Sequence, residues 1–503
     1  MGLFSSLFSK EKYSTTRTAA KVRLSQKQGG SQRVGASYDS AADTDYLKRH
    51  WANTDALSAD AANTREIRRK IMQRARYEFS NNSYCAGMVL TLANDVIGTG
   101  ARLQIHTGNP KQNSEIEAAF RAWSKAINLS EKLRTMRQAR TRDGEVFAKM
   151  FTNRALSLRH PVTLDLQLIE AEQVSTPDMT YIEKPNAIDG IVFDEYGNPK
   201  EYHVLKSHPG STDIDTKWNE YSVIPADEML HYFRADRPGQ HRGVSEYKAA
   251  LPLFAMLRNY STAVLKAAET AADFAGVIQS NAPAVDSTND FDGTSAENGT
   301  STDPEVMDVF NLEQGMLTVL PRNWTVGQVR AEQPTTTYAD FKKEILNEIA
   351  RCLNMPFNVA AGNSSSYNYA SGRLDHQTYF KCIDVDRDYT EYAIMDRIFE
   401  KFINEYYLAK GLPKIGLDLT HQWFWGGHEH VDPAKEAKAQ ETRLGSLTTT
   451  LASEYAKDGK DWEEELRQRA REMELQKELG LVSVSSPDDN GDRDDEDEKE
   501  DEE

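Results

Sequence analysis

Between residues 244 and 278 the chain carries a helical pattern, with Pro252 near its start and Gly276 in its last turn. Leu251, Phe254, Leu257, Tyr260, Ala263 and Val264 recur at spacings of three and four, the period of one helix face. Small residues then take over, at Ala267, Ala268, Ala271, Ala272 and Ala275, and small side chains let neighbouring helices approach closely. A single helix over residues 244–278 would be about 50 Å long at 1.5 Å rise per residue. One compact domain cannot surround it, so it requires neighbours, of which a larger helical bundle is the plainest. A second apolar stripe follows at Phe341, Ile345, Ile349 and Leu353, after an N-cap in Pro334-Thr-Thr-Thr337 and before Pro356.

The flanking regions read differently. Ile67, Ile71, Ala75 and Phe79 mark a helix over 63–80, and a second runs from Tyr84 to Ile97, stopping at Gly98-Thr-Gly100. Ser114 and Glu117 form a capping box that predicts a third helix start there, and a basic fourth helix fits Glu131 to Arg142. The period then changes to two. Val146, Ala148 and Met150 alternate, as do Val162, Leu164, Leu166 and Leu168. Ile191 and Phe193 with Tyr202 and Val204 flank the turn Asp194-Glu-Tyr-Gly197-Asn-Pro199, a half-buried hairpin. Residues 50–240 are therefore expected to be mixed α+β. Residues 281–304 are polar and read as a flexible insertion. Strand patterns return over 306–329. A long uncharged stretch, Ala360 to Gly372, precedes another long helix from Arg373 to about Leu408. The region 432–480 is helical and charged, broken at Asp458-Gly459.

At 503 residues the chain is long enough for about three domains. Its net charge of −18 is unevenly spread. The first 35 residues hold seven Lys/Arg against one Glu, and residues 488–503 hold twelve Asp/Glu against Arg493 and Lys499. Both ends are expected to be disordered, because like charges repel and little there can be buried. The middle is acidic, a poor match for tight phosphate binding but compatible with DNA sliding past. Cys85, Cys352 and Cys382 are scattered and form no CxxC, which argues against a disulfide framework or zinc ribbon. No apolar run reaches membrane-spanning length, and the first ten residues are too polar for a signal peptide.

Chemistry is sparse. There is no Walker A loop, HExxH or GxSxG, and the Gly98-Thr-Gly100 pair lacks the third glycine of a dinucleotide site. His421 with His428, His430 and Asp432 is the best metal candidate, although Trp423, Phe424 and Trp425 between them read as packing. Asp384 and Asp386 read as solvated carboxylates. No nucleophile–base set stands out, so neither catalysis nor a cofactor is expected.

Several stretches together resemble the lambda-type family of tailed-phage portal proteins. One comprises Ile224-Pro-Ala226, Leu230-His231, Arg237-Pro-Gly-Gln240 and Arg242-Gly-Val-Ser245. A second runs from Phe341 through Ile349-Ala350 and Leu353 to Pro356, then Asn368-Tyr-Ala-Ser371 and Arg373, where Ala370 replaces a serine usual in the family. A third comprises Val431-Asp-Pro433, Lys435-Glu436, Gly459-Lys-Asp461 and Gly480-Leu481. Asp143-Gly-Glu145, Asp189-Gly-Ile191 and Gly197-Asn-Pro199 are weaker echoes. Each piece is short, but their order spans roughly residues 45–485.

The resemblance implies an α+β subunit of a twelve-membered ring with a central channel. Its parts would be a disordered basic arm (1–44), an α/β wing (45–243), a first stem helix (244–278), a clip (279–334, with the insertion 281–304), a second stem helix (335–356), a tunnel loop (357–372), a long wing helix and following segment (373–429), a helical crown (430–482) and an acidic tail (483–503). It implies a conduit for double-stranded DNA during packaging and ejection, without catalysis or membrane contact. The implied partners are the large terminase subunit, a head–tail connector, and the major capsid and scaffolding proteins. The loop residues Asn363, Ser364, Ser365, Ser366, Tyr367, Asn368 and Tyr369, with Arg373 at the base, are the DNA-contact candidates. Gly362 and Gly372 are the expected hinges. Hydroxyls and amides can touch phosphates without reading sequence.

Overall fold

In the computed structural model, residues 49–52, 54–107, 109–176, 186–212, 220–273, 277–280, 324–327, 335–365, 368–411, 419–427, 433–457 and 459–481 are described. The expected arm 1–44, the insertion 281–304 and the tail 483–503 lie outside them. The described residues before Ser58 belong to a separate unit. Within it the rings of His50 and Trp51 meet edge-on at 5.5 Å.

After a single helical turn, Ala59–Ala62, the main unit continues with α1 (Arg65–Asn81) and α2 (Ser83–Ile97). Thr64 caps α1 by accepting from Ile67 N–H, and Asn82 caps α2 by accepting from Tyr84 and Cys85 N–H. Strand β1 (Arg102–Ile105) leads to α3 (Pro110–Ala126) and α4 (Leu129–Asp143). Helix α3 begins four residues before the predicted capping box. Asn109 is its cap, accepting from Gln112 N–H, and Pro110 suits a first turn that needs no N–H there. Ser114 lies inside the helix, donating to the Pro110 carbonyl at 3.2 Å. Glu117 instead accepts from Ile105 N–H at 2.7 Å, so the side chain expected to cap a helix ties that helix to β1.

Two antiparallel sheets follow. One has the order β3-β2-β8 and the other β4-β5-β6-β7. Their strands are β2 (Glu145–Thr152), β3 (Leu164–Ile169), β4 (Ala187–Ile188), β5 (Ile191–Phe193), β6 (Pro199–Leu205), β7 (Tyr221–Pro225) and β8 (Met229–Phe233). The predicted hairpin is β5–β6, with Ile191 opposite Tyr202. Strand β2 is buried on both faces rather than one. Val146, Ala148 and Met150 face the helices, whereas Phe147 joins Ile191, Phe193, Tyr202, Val204 and Ile224 in a second core between the sheets. A central strand covered by helices on one side and a sheet on the other has no solvent face, so its alternation separates two cores.

The long helix expected over 244–278 is shorter than predicted. Residues 246–250 form turns, and α5 spans Leu251–Asp273, 23 residues or about 35 Å. Val277–Ser280 is a strand, β9, paired antiparallel with β10 (Trp324–Gly327). Helix α6 (Thr335–Arg351) returns beside α5. Tyr260 packs on Tyr338 and Phe341 at ring distances of 5.8 and 4.4 Å, and Tyr338 Oη donates to Ser261 Oγ.

A short helix, α7 (Phe357–Ala361), precedes α8 (Tyr369–Thr390). Through a π-helical turn, Glu391–Met395, the chain continues into α9 (Asp396–Lys410). Strand β11 (His421–Phe424) pairs with β1. An aromatic cluster of Phe120, Trp123, Phe399, Phe402 and Trp423 locks α3, α9 and β11 together. Helices α10 (Pro433–Gly445), α11 (Leu451–Lys457) and α12 (Trp462–Glu478) end the described chain. Among the described residues, no helix is long and apolar enough to cross a membrane.

Candidate nucleic-acid interface

The weak echoes in the sequence converge in space. Asp143-Gly144-Glu145 ends α4 and starts β2, and Arg242-Gly243-Val244-Ser245 leads into α5. Gly144 has φ +96°, and a Cβ there would lie 2.3 Å from the Val244 carbonyl carbon. A Cβ on Gly243 would lie 2.2 Å from the Gly144 oxygen. Two backbones cross here at a distance only glycine permits. Glu145 accepts from Arg242 Nε at 2.9 and 3.0 Å, from Gly243 N–H at 2.9 Å, and from His231 Nε2 at 2.9 Å. Arg242 spends its other N–H groups on the carbonyls of Val174, Ala171 and Asp189. The side chains of Arg242 and Glu145 are 2% and 1% exposed. Burial alone would raise the Glu145 carboxyl, but the Arg242 charge outweighs it and holds the carboxyl well below the ordinary range. His231, stacked between Phe147 and Phe233, is pushed down by burial against the opposing pull of Glu145.

A second buried network lies beside it. Arg137 reaches Glu246 at 3.2 Å and Asp386 at 2.8 Å. Arg140 reaches Asp386 at 2.6 Å and Glu246 at 3.3 Å, and its guanidinium lies over the Tyr232 ring at 4.7 Å. Tyr232 Oη also meets Thr390 Oγ1 at 2.8 Å. Burial works against the ionised Glu246, yet Arg137 and Arg140 hold its pKa at about 2. Asp386 is thus not the solvated carboxylate the sequence suggested. Its neighbour Asp384 is 63% exposed, whereas Asp386 is 11% exposed, because two residues along a helix turn to nearly opposite sides. Tyr379 Oη donates to Asp95 at 2.7 Å, and Arg387 donates to the Asp95 and Val96 carbonyls. Cationic Arg387 therefore sits at the C-terminus of α2, where the helix dipole favours it.

Helix α8, fixed in this way, presents the candidate contact segment. The expected loop 357–372 is shorter than predicted. Phe357–Ala361 is helical, and Gly362 closes it in the left-handed region at φ +62°. Asn363 N–H donates to the Asn358 carbonyl, and Ser365 N–H to Asn363 Oδ1. Asn368 caps α8 by accepting from Ser371 N–H at 2.8 Å and Ser371 Oγ at 2.9 Å. Tyr369 is therefore the first helical residue. Gly372 is helical rather than a hinge, its N–H bonded to the Asn368 carbonyl. Asn363, Ser364, Ser365, Asn368 and Arg373 are exposed. Ser366 and Tyr367 lie outside the described residues.

Among the described residues, one cluster has metal-ligand geometry. Glu170, Glu172 and His208 each bring one ligand atom within 4.8 Å of the others. Arg76 pairs with both carboxylates, at 3.0 and 2.7 Å. Gly210 N–H donates to His208 Nδ1, so Nε2 carries the proton and donates to Glu172 at 2.9 Å, leaving no lone pair there for a cation. Of the metal candidates weighed in the sequence, His421 has Asp396 and the Leu419 carbonyl at its two nitrogens. The Asp396 bond raises its pKa, which favours imidazolium over a ligand. His428, His430 and Asp432 lie outside the described residues. Burial pushes the Cys85 thiol up to about 12, far from a reactive thiolate.

The model of the phage portal protein, lambda family, matches residues 47–387. A probable portal protein of Halomonas phage phiHAP-1 is 26% identical over 439 residues, covering 82% of this chain and 81% of the relative. Among solved structures, a chain from the neck of a native gene transfer agent particle with C12 symmetry aligns at TM-score 0.41 and 12% identity, covering 79% of this chain and 94% of its own. A chain from the native gene transfer agent virion aligns at 0.41 and 13%, covering 77% and 91%. The family match spans well over half of the sequence, and this chain belongs to the lambda family of phage portal proteins.

Proposed function

We propose that twelve copies of this chain form a ring at one capsid vertex, through which double-stranded DNA enters during packaging and leaves at ejection. In this reading the wing (45–243) meets the major capsid and scaffolding proteins and nucleates procapsid assembly. The clip (279–334) docks the large terminase subunit and later a head–tail connector. The stem helices α5 and α6 pack against neighbouring copies, and 430–482 forms the crown. The ring assembles in the host cytoplasm, stays at the portal vertex of the virion, and does no chemistry of its own.

Family membership supports the portal role. One observation supports a channel role for this segment: the exposed, uncharged, hydrogen-bonding residues Gly362 to Ser365 and Asn368 adjoin a helix held by two buried arginines. Such a turn can touch passing phosphates through amides and hydroxyls without the Coulombic trap that a lysine or arginine would create. Asn363, Ser364, Ser365 and Asn368 are the primary contacts, with Arg373 one turn further along α8.

The test adds charge where there is none. S364E/S365E should leave a ring of about 680 kDa, twelve times 56.7 kDa, measured by light scattering and negative-stain imaging. It should sharply reduce nuclease-protected DNA in a packaging reaction. Unimpaired packaging by an intact variant ring would overturn the channel role. An unmodified chain that forms no ring would overturn the assembly itself.

A further inference from the structure

The cations of α1 divide into two sets. The inward ones are matched. Arg68 pairs with Asp189 and donates to the Asn63 carbonyl, and Arg76 reaches Asp143, Glu170 and Glu172. Arg69, Lys70 and Arg74, by contrast, have no hydrogen-bond or ion-pair partner among the described residues. Lys70 and Arg74 are exposed and Arg69 is half-buried. Lys70 and Arg74 also stand four residues apart, a like-charge spacing that destabilises a helix. These cations occur in a chain whose 78 Asp/Glu outnumber its 60 Lys/Arg.

At about 100° per residue, Arg69, Lys70, Arg74 and Tyr77 fall within one arc of about 140°. The carboxylate in that arc is Glu66, in the first turn, where the helix dipole favours it. Arg258 of α5 extends the face at the other end. It lies over the Tyr77 ring at 5.1 Å and donates to Tyr77 Oη and the Asn81 carbonyl, with Glu78 at 3.5 Å. Near the start of α1, Arg69 lines a cleft with Arg65 and Ser175. There Arg65 donates to Ser175 Oγ and the Thr176 carbonyl at 3.5 and 3.4 Å, both long. The carboxylates of the same cleft, Glu145, Glu172 and Asp189, are already bound by Arg242, Arg76 and Arg68. The face is thus a row of donors without acceptors, with Tyr77, 57% exposed, as an apolar contact.

We propose that this face of α1 is the docking site of the chain's own acidic segment, residues 488–503. That segment carries twelve Asp/Glu against Arg493 and Lys499, and carboxylates are the acceptors that guanidinium groups bind best. The described chain runs to Leu481. Residues 482–503 reach up to about 75 Å when extended, about twice the length of α5. Tethering supplies an effective concentration in the mM range, so individually weak pairs suffice. A DNA duplex suits the face less well, because its charge continues past Arg69, Lys70, Arg74 and Arg258 onto a chain of net charge −18.

Zero-length carbodiimide cross-linking of the full chain, read by peptide mass spectrometry, tests this. The reagent joins an ammonium only to a carboxylate in contact with it. Lys70 should link to acids of 488–503 about tenfold more often than the exposed Lys200 and Lys266 do. The linked chain should run as a single copy on a denaturing gel. The links should disappear at about 1 M salt, where charges act over about 3 Å. R69E/R74E keeps Lys70 and should lose the links, with an unchanged thermal midpoint showing that the fold stands. Links spread evenly over Lys70, Lys200 and Lys266, or persisting in a folded R69E/R74E, would overturn the proposal. A ladder of linked copies would overturn it in favour of a neighbouring chain's segment. Retention of a short DNA duplex by the unmodified chain and not by R69E/R74E would overturn it in favour of nucleic acid.

Discussion

Two regions joined by helix α8 solve opposite problems. At its inner face, Asp386 and Thr390 meet Arg137, Arg140, Tyr232 and, through the arginines, Glu246, next to the crossing of Gly144 and Gly243. At its N-terminus, residues 362–368 include no charged residue, and the described ones are shaped by the Gly362 cap and Asx-type hydrogen bonds at Asn363 and Asn368. The first region is over-determined, so displacing any member strands a buried charge. The second offers only neutral groups to solvent. Charge fixes the buried frame, where its partners never change, and is absent from residues 362–368, with the exposed Arg373 one helical turn beyond them.

The comparison breaks most severely at Arg242. Arg242→Ala strands Glu145 and three carbonyls in the interior, and should cost about 3–5 kcal/mol, read as a fall in the denaturant midpoint. The double variant R242M/E145L should recover part of that loss, because an apolar pair leaves no orphaned charge. A loss below about 1 kcal/mol for Arg242→Ala would mean that the joint is not the frame. The S364E/S365E turn variant should leave the same midpoint unchanged, since both serines are exposed.

Acid should break the frame next, and in two stages. The folded pKa of His231 lies below its ordinary value, so its contribution is complete above about pH 6.5 and declines as pH falls below that. Those of Glu145 and Glu246 also lie below theirs. Their contribution is complete above about pH 4.5 and is lost as pH falls toward 2, where Glu246 titrates. Thermal midpoints measured from pH 8 to 3 should therefore fall gently below 6.5 and steeply below 4.5. His231→Gln should remove the first stage. A flat profile down to pH 4 in the unmodified chain would contradict the buried histidine.

How much of this was legible in the sequence depended on the range of the interaction. Apolar periodicity placed Arg65–Asn81, Ser83–Ile97, the β5–β6 hairpin and the α6 stripe, because each is decided by side chains within a few residues. Helix ends were read less well. The box at Ser114 and Glu117 misled because Asn109-Pro110 caps first and Glu117 is recruited by β1. The helical pattern before Leu251 failed because Ser245, Glu246 and Tyr247 are held by Thr141, Arg137 and Cys85, partners about a hundred or more residues away. The same distance hid the joint itself. Asp143-Gly-Glu145, Asp189-Gly and Arg242-Gly were visible as motifs, but nothing local says that they meet. Asp386 looked solvated because its partners lie on α4. In the turn, Asn368 was noted without its capping role, so Gly372 was taken for a hinge.

The smallest effect is the most specific to the turn. Gly362 ends α7 at φ +62°, ψ +30°, with open space where a Cβ would sit. Substitution there meets no neighbour, so its cost is backbone strain alone. Gly362→Ala should lose about 1 kcal/mol, whereas Gly362→Asn should lose less, because asparagine tolerates the left-handed region. Both should keep the ring, since the joint lies elsewhere on α8. If the turn's shape matters to DNA passage, packaging should rank glycine above asparagine above alanine, following strain. If only its lack of charge matters, all three should package equally and S364E/S365E alone should fail. Either ranking separates two properties that the turn combines, a fixed backbone and a neutral surface, and the buried joint supplies the rigid reference against which both are read.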